Sequence, residues 1–374
     1  MRFVTTCLFG LERLAGEDID ALGYKRIETT DGRVEFEAPA DAIARCNINF
    51  RYSERVLIKL GAFGAETFDG LFENTRALPW EDLIGRDDAF PVKGHSVKSR
   101  LFSVPDCQAI IKKAVCRRLG SVYGMERLPE TGVKKQIVFF LMNDTAHLMI
   151  DTTGEGLHKR GYRPAANLAP IRETLAAAMV NFSRPRANVL TVDPMCGSGT
   201  IAIEAALLAS NTAPGMNRAF SAERYGLLPE NAFELAREKA RAKVTEPQMR
   251  IFGSDIDKDS LDIARENARR AGVEKWVDFS CADVRSFVPP VEGARGTIVC
   301  NPPYGERMMD KESAAELIAA AGKAIARSAP MWQLYFISPD PLFERHFGRR
   351  ADKVRTLYNG MIKCGFYQFY KQKT

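Results

Sequence analysis

The sequence predicts an α/β chain built in three successive parts, and three observations predict it. Residues 2–62 read in the order βαββαβ, residues 63–155 change to a basic mixture of helices and strands, and from residue 188 strands alternate with helices up to a final hairpin. The length of 374 residues agrees, since roughly 100–200 residues per domain gives two or three domains.

In chain order, residues 2–7 form a strand, and Leu11, Leu14, Ile19 and Leu22 mark a helix after it. KRIETT and RVEFEA flank Asp31-Gly32, a hairpin signal because glycine tolerates the positive φ of a two-residue turn. A short helix near 40–48 and a strand near 55–62 complete a ferredoxin-like arrangement. A helix, the strand FPVKGHSVKS, a basic helix and two strands (QIVFFLM and HLMIDTT) follow, the last two joined by a polar turn at Asn143-Asp144. In the basic helix Ile111, Val115 and Leu119 share one face, and Asp106 stands near its start. After the loop GLHKRGYRPAANLAP, Ile171, Leu175, Met179 and Phe182 mark one side of a helix whose first turn suits Pro170. Then come NVLTVD and its helix, RIFGSD and its helix, WVDFSCAD, GTIVCNPPY with a helix over 312–328, and WQLYFIS. That alternation predicts a parallel sheet with helices on both faces. Asn359-Gly360 predicts a tight turn in the closing hairpin.

Composition removes several classes. Hydrophobic residues at 45% and charged residues at 27% allow a substantial core, and no stretch approaches the ~20 apolar residues of a membrane span. The N-terminus carries no signal-peptide pattern. The eight cysteines are scattered without a C-x-x-C pair, and the four histidines lack ligand spacing, so neither a disulfide framework nor a metal site is expected. The expectation is a reducing, cytoplasmic setting. Net charge is +6, and its excess is local: Lys93 to Lys135 holds ten basic residues against Asp106, Glu126 and Glu130. Lys93, Lys98, Arg100, Lys112, Lys113, Arg117 and Arg118 are the candidates for binding a polyanion, with a solvated surface as the alternative.

The chemistry concentrates in two motifs. Asp193-Pro-Met-Cys-Gly-Ser-Gly-Thr200 joins the first strand of the alternating region to its helix, and Gly197 and Gly199 allow backbone to approach a ligand where a Cβ would clash. It lacks the Gly-Lys-Ser/Thr of a nucleotide triphosphate loop and the full G-x-G-x-x-G fingerprint; a structural glycine turn is the alternative reading. Asp255, followed by Ile256, ends the second strand, where a carboxylate can accept both ribose hydroxyls of a nucleoside, and Asp283 follows the third, placed for an adenine amino group. Asn301-Pro302-Pro303-Tyr304 ends the fourth. The amino group of a base is a poor nucleophile because its lone pair is delocalised into the ring. Hydrogen bonds from its N–H groups to the Asn301 oxygen and the Pro302 carbonyl would return density to nitrogen. The prolines stiffen that carbonyl, and Tyr304 offers a face for an extruded base.

These motifs, in this order, resemble the cofactor and active sites of Rossmann-like class I S-adenosylmethionine-dependent methyltransferases. Residues from about 50 to 155 resemble a THUMP domain, an RNA-binding module, behind its ferredoxin-like partner. LHKRGYR (157–163), APIRETLAAAMV (169–180) and APGMNRAF (213–220) resemble the bacterial 23S ribosomal RNA guanine-N2 methyltransferases, nearly end to end. SAERYG (221–226) departs from the family's aromatic-rich continuation, and a second catalytic domain found in some relatives does not follow.

The resemblance implies an N-terminal ferredoxin-like domain (1–52), a THUMP domain (53–155) and a methyltransferase domain (156–374). It implies S-adenosylmethionine as cofactor, held by Pro170, Asp193, Pro194, Gly197, Gly199, Thr200, Asp255, Ile256 and Asp283. The implied partner is RNA, a hairpin of 23S ribosomal RNA, with Asn301, Pro302, Pro303 and Tyr304 acting on a guanine amino group. Transfer-RNA guanine-N2 methylation shares this plan. N6-adenine methylation, release-factor glutamine methylation and a non-catalytic RNA-binding role remain as alternatives.

Overall fold

The structure is a computed structural model that describes residues 1–163, 171–305 and 310–370. The first part runs β1 (Arg2–Cys7), α1 (Glu12–Ala21), β2 (Lys25–Thr30), β3 (Arg33–Glu37), α2 (Ala42–Asn49) and β4 (Ser53–Gly64), the expected βαββαβ order. Thr30 pairs with Arg33 across Asp31-Gly32, and Gly32 takes φ +73°. The second part adds α3 (Phe68–Ala77), β5 (Val92–Val97), α4 (Val104–Tyr123), β6 (Ile137–Met142) and β7 (Thr145–Asp151). Asn143 and Asp144 between the last two strands both have positive φ, as the tightest hairpins require.

These two parts share one seven-stranded sheet in the order β2-β3-β1-β4-β7-β6-β5. The bridge is β4: Val56, Leu57 and Ile58 pair with β1, and Leu57 to Gly64 pair with β7. Residue 53, the expected boundary, is therefore the head of a shared strand. The sheet also curls. Arg33 on β3 reaches Met142 on β6, with Nη1 2.8 Å from its sulfur and the guanidinium over the Phe140 ring, although β1, β4 and β7 lie between. Val4, Leu57, Val138, Phe140 and Met149 form a small core inside that curl.

The third part runs α5 (Glu173–Phe182), β8 (Leu190–Asp193), α6 (Thr200–Ala209), α7 (Ala232–Arg241), β9 (Ile251–Asp255), α8 (Lys258–Ala271), β10 (Val277–Cys281), β11 (Gly296–Cys300), α9 (Lys311–Ser328), β12 (Gln333–Ser338), α10 (Phe343–Phe347), β13 (Lys353–Asn359) and β14 (Ile362–Phe369). Its sheet order is β10-β9-β8-β11-β12-β14-β13, parallel through β12, with β14 antiparallel beside it. Successive residues of β11 face opposite cores: Val299 joins α5, α6 and α8, while Ile298 joins α9 and α10. Helices α5 and α6 are apolar almost all round and are buried accordingly.

Three details differ from the sequence reading. Helix α5 begins at Glu173 with Arg172 as its cap, so Ile171 precedes it, and Pro170 lies outside the described residues. Helices α7 and α10 are absent from the sequence reading, α10 because it is only five residues long and α7 because its buried stripe is largely the small side chains Ala236 and Ala240 beside Phe233. The closing turn is Gly360-Met361, since Asn359 still pairs with Ile362; Gly360, at φ +66°, takes the first turn position.

One hydrophobic core runs from Phe3 and Phe36 through Phe139 and Ile150 to Met179 and Ile203, so the three parts pack as a single body. Polar contacts fix their relative position. Arg160 Nη2 donates to the Arg51 carbonyl (2.5 Å), Arg51 Nη2 to the Thr212 carbonyl (2.7 Å), and Asn181 Nδ2 to the Tyr52 hydroxyl (2.8 Å). Glu54, at the head of β4, takes Arg172 at 2.9 Å and the Thr174 hydroxyl at 2.6 Å, and lies 2.8 Å from His158 Nδ1. Burial alone would raise the Glu54 pKa, but these partners outweigh it and hold the carboxyl down at about 2. Among the described residues, no helix is long and apolar enough to cross a membrane.

Candidate active site

The strand order reverses between β8 and β11, and in an open α/β sheet the crevice outside the carboxyl ends of such a pair is where ligands bind. Both sequence motifs sit there. The loop after β8 is pinned to β9 by Cys196 N–H donating to the Ser254 carbonyl (2.9 Å). Gly197 and Gly199 both take positive φ, +50° and +79°, but they do different jobs. A Cβ on Gly199 would lie 3.0 Å from both Ala264 and Phe279, so this glycine lets α8 and β10 pack against the loop. A Cβ on Gly197 would meet nothing within 4 Å, so this glycine faces the open crevice. Its N–H donates to Asp255 Oδ2 at 2.9 Å, while Asp255 Oδ1 accepts from Asp257 N–H at 3.0 Å.

The expected cofactor residues thus divide into backing and lining. Asp193, Pro194, Gly199 and Thr200 are buried behind the loop. Asp193 accepts from Met195 N–H at 3.3 Å and from the Cys300 thiol, tying the ends of β8 and β11 together. Thr200 accepts from Arg163 Nη1 at 3.2 Å. Gly197, Asp255, Ile256 and Asp283 remain on the open side. Ile256 is 60% exposed, an apolar side chain at the crevice mouth suited to cover a ring. Asp283 caps a short turn through Arg285 N–H (2.9 Å), and its carboxylate already holds the Arg285 guanidinium at 2.7 Å. A ligand amino group would compete with an exposed ion pair, a contact generally worth about 0–1 kcal/mol. An open glycine backbone, an acid at each of two strand ends and an exposed aliphatic cover between them fit a nucleoside-bearing cofactor.

Burial raises the Asp193 carboxyl from 3.8 to about 7. The folded state then holds this proton more tightly than the unfolded chain. Its stabilising contribution is complete below about pH 4 and is lost as pH climbs towards 7. In the cofactor-free protein, Asp193→Asn should gain on wild type by up to about 4 kcal/mol between pH 4 and pH 8. Urea unfolding of both proteins across that range checks it; a difference that stays flat would overturn the raised value.

At the end of β11, the Tyr304 hydroxyl donates to Asn301 Oδ1 at 2.6 Å and accepts from Asn359 Nδ2 at 3.5 Å. Burial pushes the Tyr304 phenol well above its usual range, so the hydroxyl stays a proton donor. The Tyr304 ring is half-buried and packs against the core, with its hydroxyl held between two asparagines. Pro302 is buried and Pro303 half-buried beside them. Asn359 is a site residue that the sequence reading missed: its Asn-Gly context pointed to a turn, whereas it remains on β13 facing Tyr304.

The basic stretch also divides. Lys112 donates to Glu130 (2.5 Å) and to the Phe90 carbonyl, Arg118 grips Glu81 by two nitrogens, and Arg100 pairs with Glu66 (2.5 Å). Lys112 and Arg118 are therefore half-buried and fasten the α4 surface through ion pairs. Lys93, Lys98, Lys113 and Arg117 are exposed, with no ion pair among the described residues.

Comparison with known proteins gives the same three-part division. The RMKL-like methyltransferase domain family matches residues 160–368, the RlmL ferredoxin-like domain 2–57 and the THUMP domain 65–151. YpsC of Bacillus subtilis strain 168, provisionally assigned as an RNA methyltransferase, is 40% identical over 99% of this chain and 96% of its own. A Listeria monocytogenes protein, provisionally assigned as an N6-adenine-specific DNA methylase, superposes with a TM-score of 0.91 at 42% identity, covering 99% of this chain and 96% of its own. SMU.472, a provisionally assigned methyltransferase solved with S-adenosylhomocysteine, also has a TM-score of 0.91, at 38% identity, covering 100% of this chain and 98% of its own.

Proposed function

The chain belongs to the THUMP-bearing, RMKL-like methyltransferases, a family of S-adenosylmethionine-dependent enzymes acting on RNA, and from that premise we propose that it methylates the exocyclic N2 amino group of a guanine in 23S ribosomal RNA. The observation that carries this reading is the Asn301–Tyr304 segment at the switch point, one strand from the glycine loop and packed on the same core as the RNA-binding half. S-adenosylmethionine, when bound, supplies an electrophilic methyl group. Gly197, Asp255, Ile256 and Asp283 would hold its nucleoside part, with Pro170 a further wall implied by family resemblance.

The remaining work falls to residues of the chain. Asn301 Oδ1 and the Pro302 carbonyl accept the two amino N–H bonds, shifting density onto nitrogen, and Pro303 limits their movement. Substrate entry displaces the Tyr304 hydroxyl from Asn301, and the freed ring covers the flipped base. Alignment supplies most of the acceleration, so no strong general base is needed. Residues 1–52 and 53–155 grip the RNA, with Lys93, Lys98, Lys113 and Arg117 as backbone contacts, and residues 156–374 perform the transfer.

The test is mass spectrometry of nucleosides from separate ribosomal and transfer RNA fractions after incubation with isotopically labelled S-adenosylmethionine. Labelled N2-methylguanosine in the large ribosomal RNA is expected. Label confined to transfer RNA would move the assignment there, and label in adenosine would favour the chemistry assigned to the Listeria relative. No label in either fraction would sink the reading.

A further inference from the structure

Two segments have no part in the transfer chemistry: 157–163 (LHKRGYR) and 217–224 (NRAFSAER). In the folded chain they face each other across a cleft of about 680 Å³, between the end of the N-terminal half and the catalytic domain. Among the described residues Lys159, Arg163, Arg172, Arg218 and Arg224 line it, with His158, against two lining carboxylates, Glu155 and Glu173. Glu173 is spent on Arg163 (2.7 Å), and Arg172 is held by Glu54. Two cations remain unpaired among the described residues, and a third keeps only an exposed partner. Arg218 donates to the carbonyls of Glu155, Gly156 and Lys159 at 2.6–2.7 Å and stacks on Phe220, and no carboxylate among the described residues pairs with it. Carbonyls satisfy its N–H groups without cancelling its charge, and burial pulls its pKa down to about 10. Arg224 is exposed and has no ion pair among the described residues; Lys159 has only an exposed pair with Glu155 at 3.0 Å.

We propose that this cleft holds the phosphodiester backbone of the RNA strand next to the target nucleotide. The inference rests on the RNA methyltransferase reading and deepens it. Cations that outnumber the lining carboxylates, with Arg218 and Arg224 on one wall unpaired among the described residues, suit an extended polyanion, whose binding releases counterions, better than a single small ion. The position is right as well: Arg163, on the cleft wall, donates to Thr200 at the start of α6, directly after the cofactor loop. A strand lying here would pass from the RNA-binding half towards the crevice at β8 and β11.

The experiment uses the full chain, a transcript of bacterial 23S ribosomal RNA and a salt titration of binding. Lys159→Ala/Arg224→Ala, two exposed positions, should lower the slope of log K against log salt by about 1.4–1.8 and weaken binding about tenfold at low salt. Its affinity for S-adenosylhomocysteine should match wild type. Lys323→Ala/Arg327→Ala on α9, across the catalytic sheet, makes the same change of net charge and should leave the slope alone. A wild-type slope in the cleft variant, or an equal drop in the α9 variant, would overturn the cleft while leaving the RNA reading intact. Wild-type protein that shows no salt-dependent binding to the transcript would overturn both.

Discussion

Asn301→Ala loses methyl transfer by roughly 10²–10³-fold while its affinity for S-adenosylmethionine stays within about threefold of wild type. The size follows from what the side chain does on the proposed mechanism. Its oxygen is a preorganised acceptor for an N–H bond that must polarise as the nitrogen attacks, so the interaction is stronger in the transition state than in the ground state. The cofactor site proposed above is spared because Asn301 follows β11, whereas Asp255 ends β9 and Asp283 follows β10. Tyr304→Phe is the informative companion. It removes the hydroxyl that now occupies Asn301 at 2.6 Å but keeps the ring, so turnover should remain within about threefold of wild type. Single-turnover methylation of the labelled RNA fraction, alongside calorimetric titration of the cofactor, measures both. Wild-type turnover in Asn301→Ala would remove the acceptor mechanism.

Asp255→Ala should weaken S-adenosylhomocysteine binding by roughly 10²–10³-fold, since hydrogen bonds to charged groups contribute about 1.5–3 kcal/mol each. Here the carboxylate has two duties. It already accepts Gly197 N–H and Asp257 N–H, which shapes the open side of the glycine loop, and its place at the end of β9 suits it to the ribose hydroxyls. Thermal unfolding separates these duties: the Asp257 N–H contact is exposed and the Gly197 contact only part-buried, so water weakens both and their loss should cost the cofactor-free protein only about 1–3 kcal/mol. Calorimetry should then show a loss of affinity larger than that structural cost. Binding within about threefold of wild type would deny Asp255 its ligand role.

Much of this molecule is legible along the chain. Periodicity gave the strand–helix order of all three parts apart from α7 and α10, because whether a segment reads with period 2 or 3.6 depends on residues only a few positions apart. The glycine loop, the acids at 255 and 283 and the Asn301–Tyr304 segment stand at strand ends for the same local reason. Turn chemistry was legible to within one residue. At the last hairpin that residue matters, since pairing of Asn359 with Ile362 keeps its side chain on Tyr304 and out of the turn.

What the sequence by itself determined is therefore the order of most elements and the class of chemistry. Which cations are available and how the active-site side chains are engaged were decided by the tertiary structure. Lys112 and Arg118 read as free charges because their partners, Glu130 and Glu81, lie 18 and 37 residues away in the chain. Lys159 and Arg224 came together only when the domains docked on one core. Local propensity acts over a few bonds, while ion pairing, desolvation and the packing of Tyr304 depend on neighbours that only folding supplies.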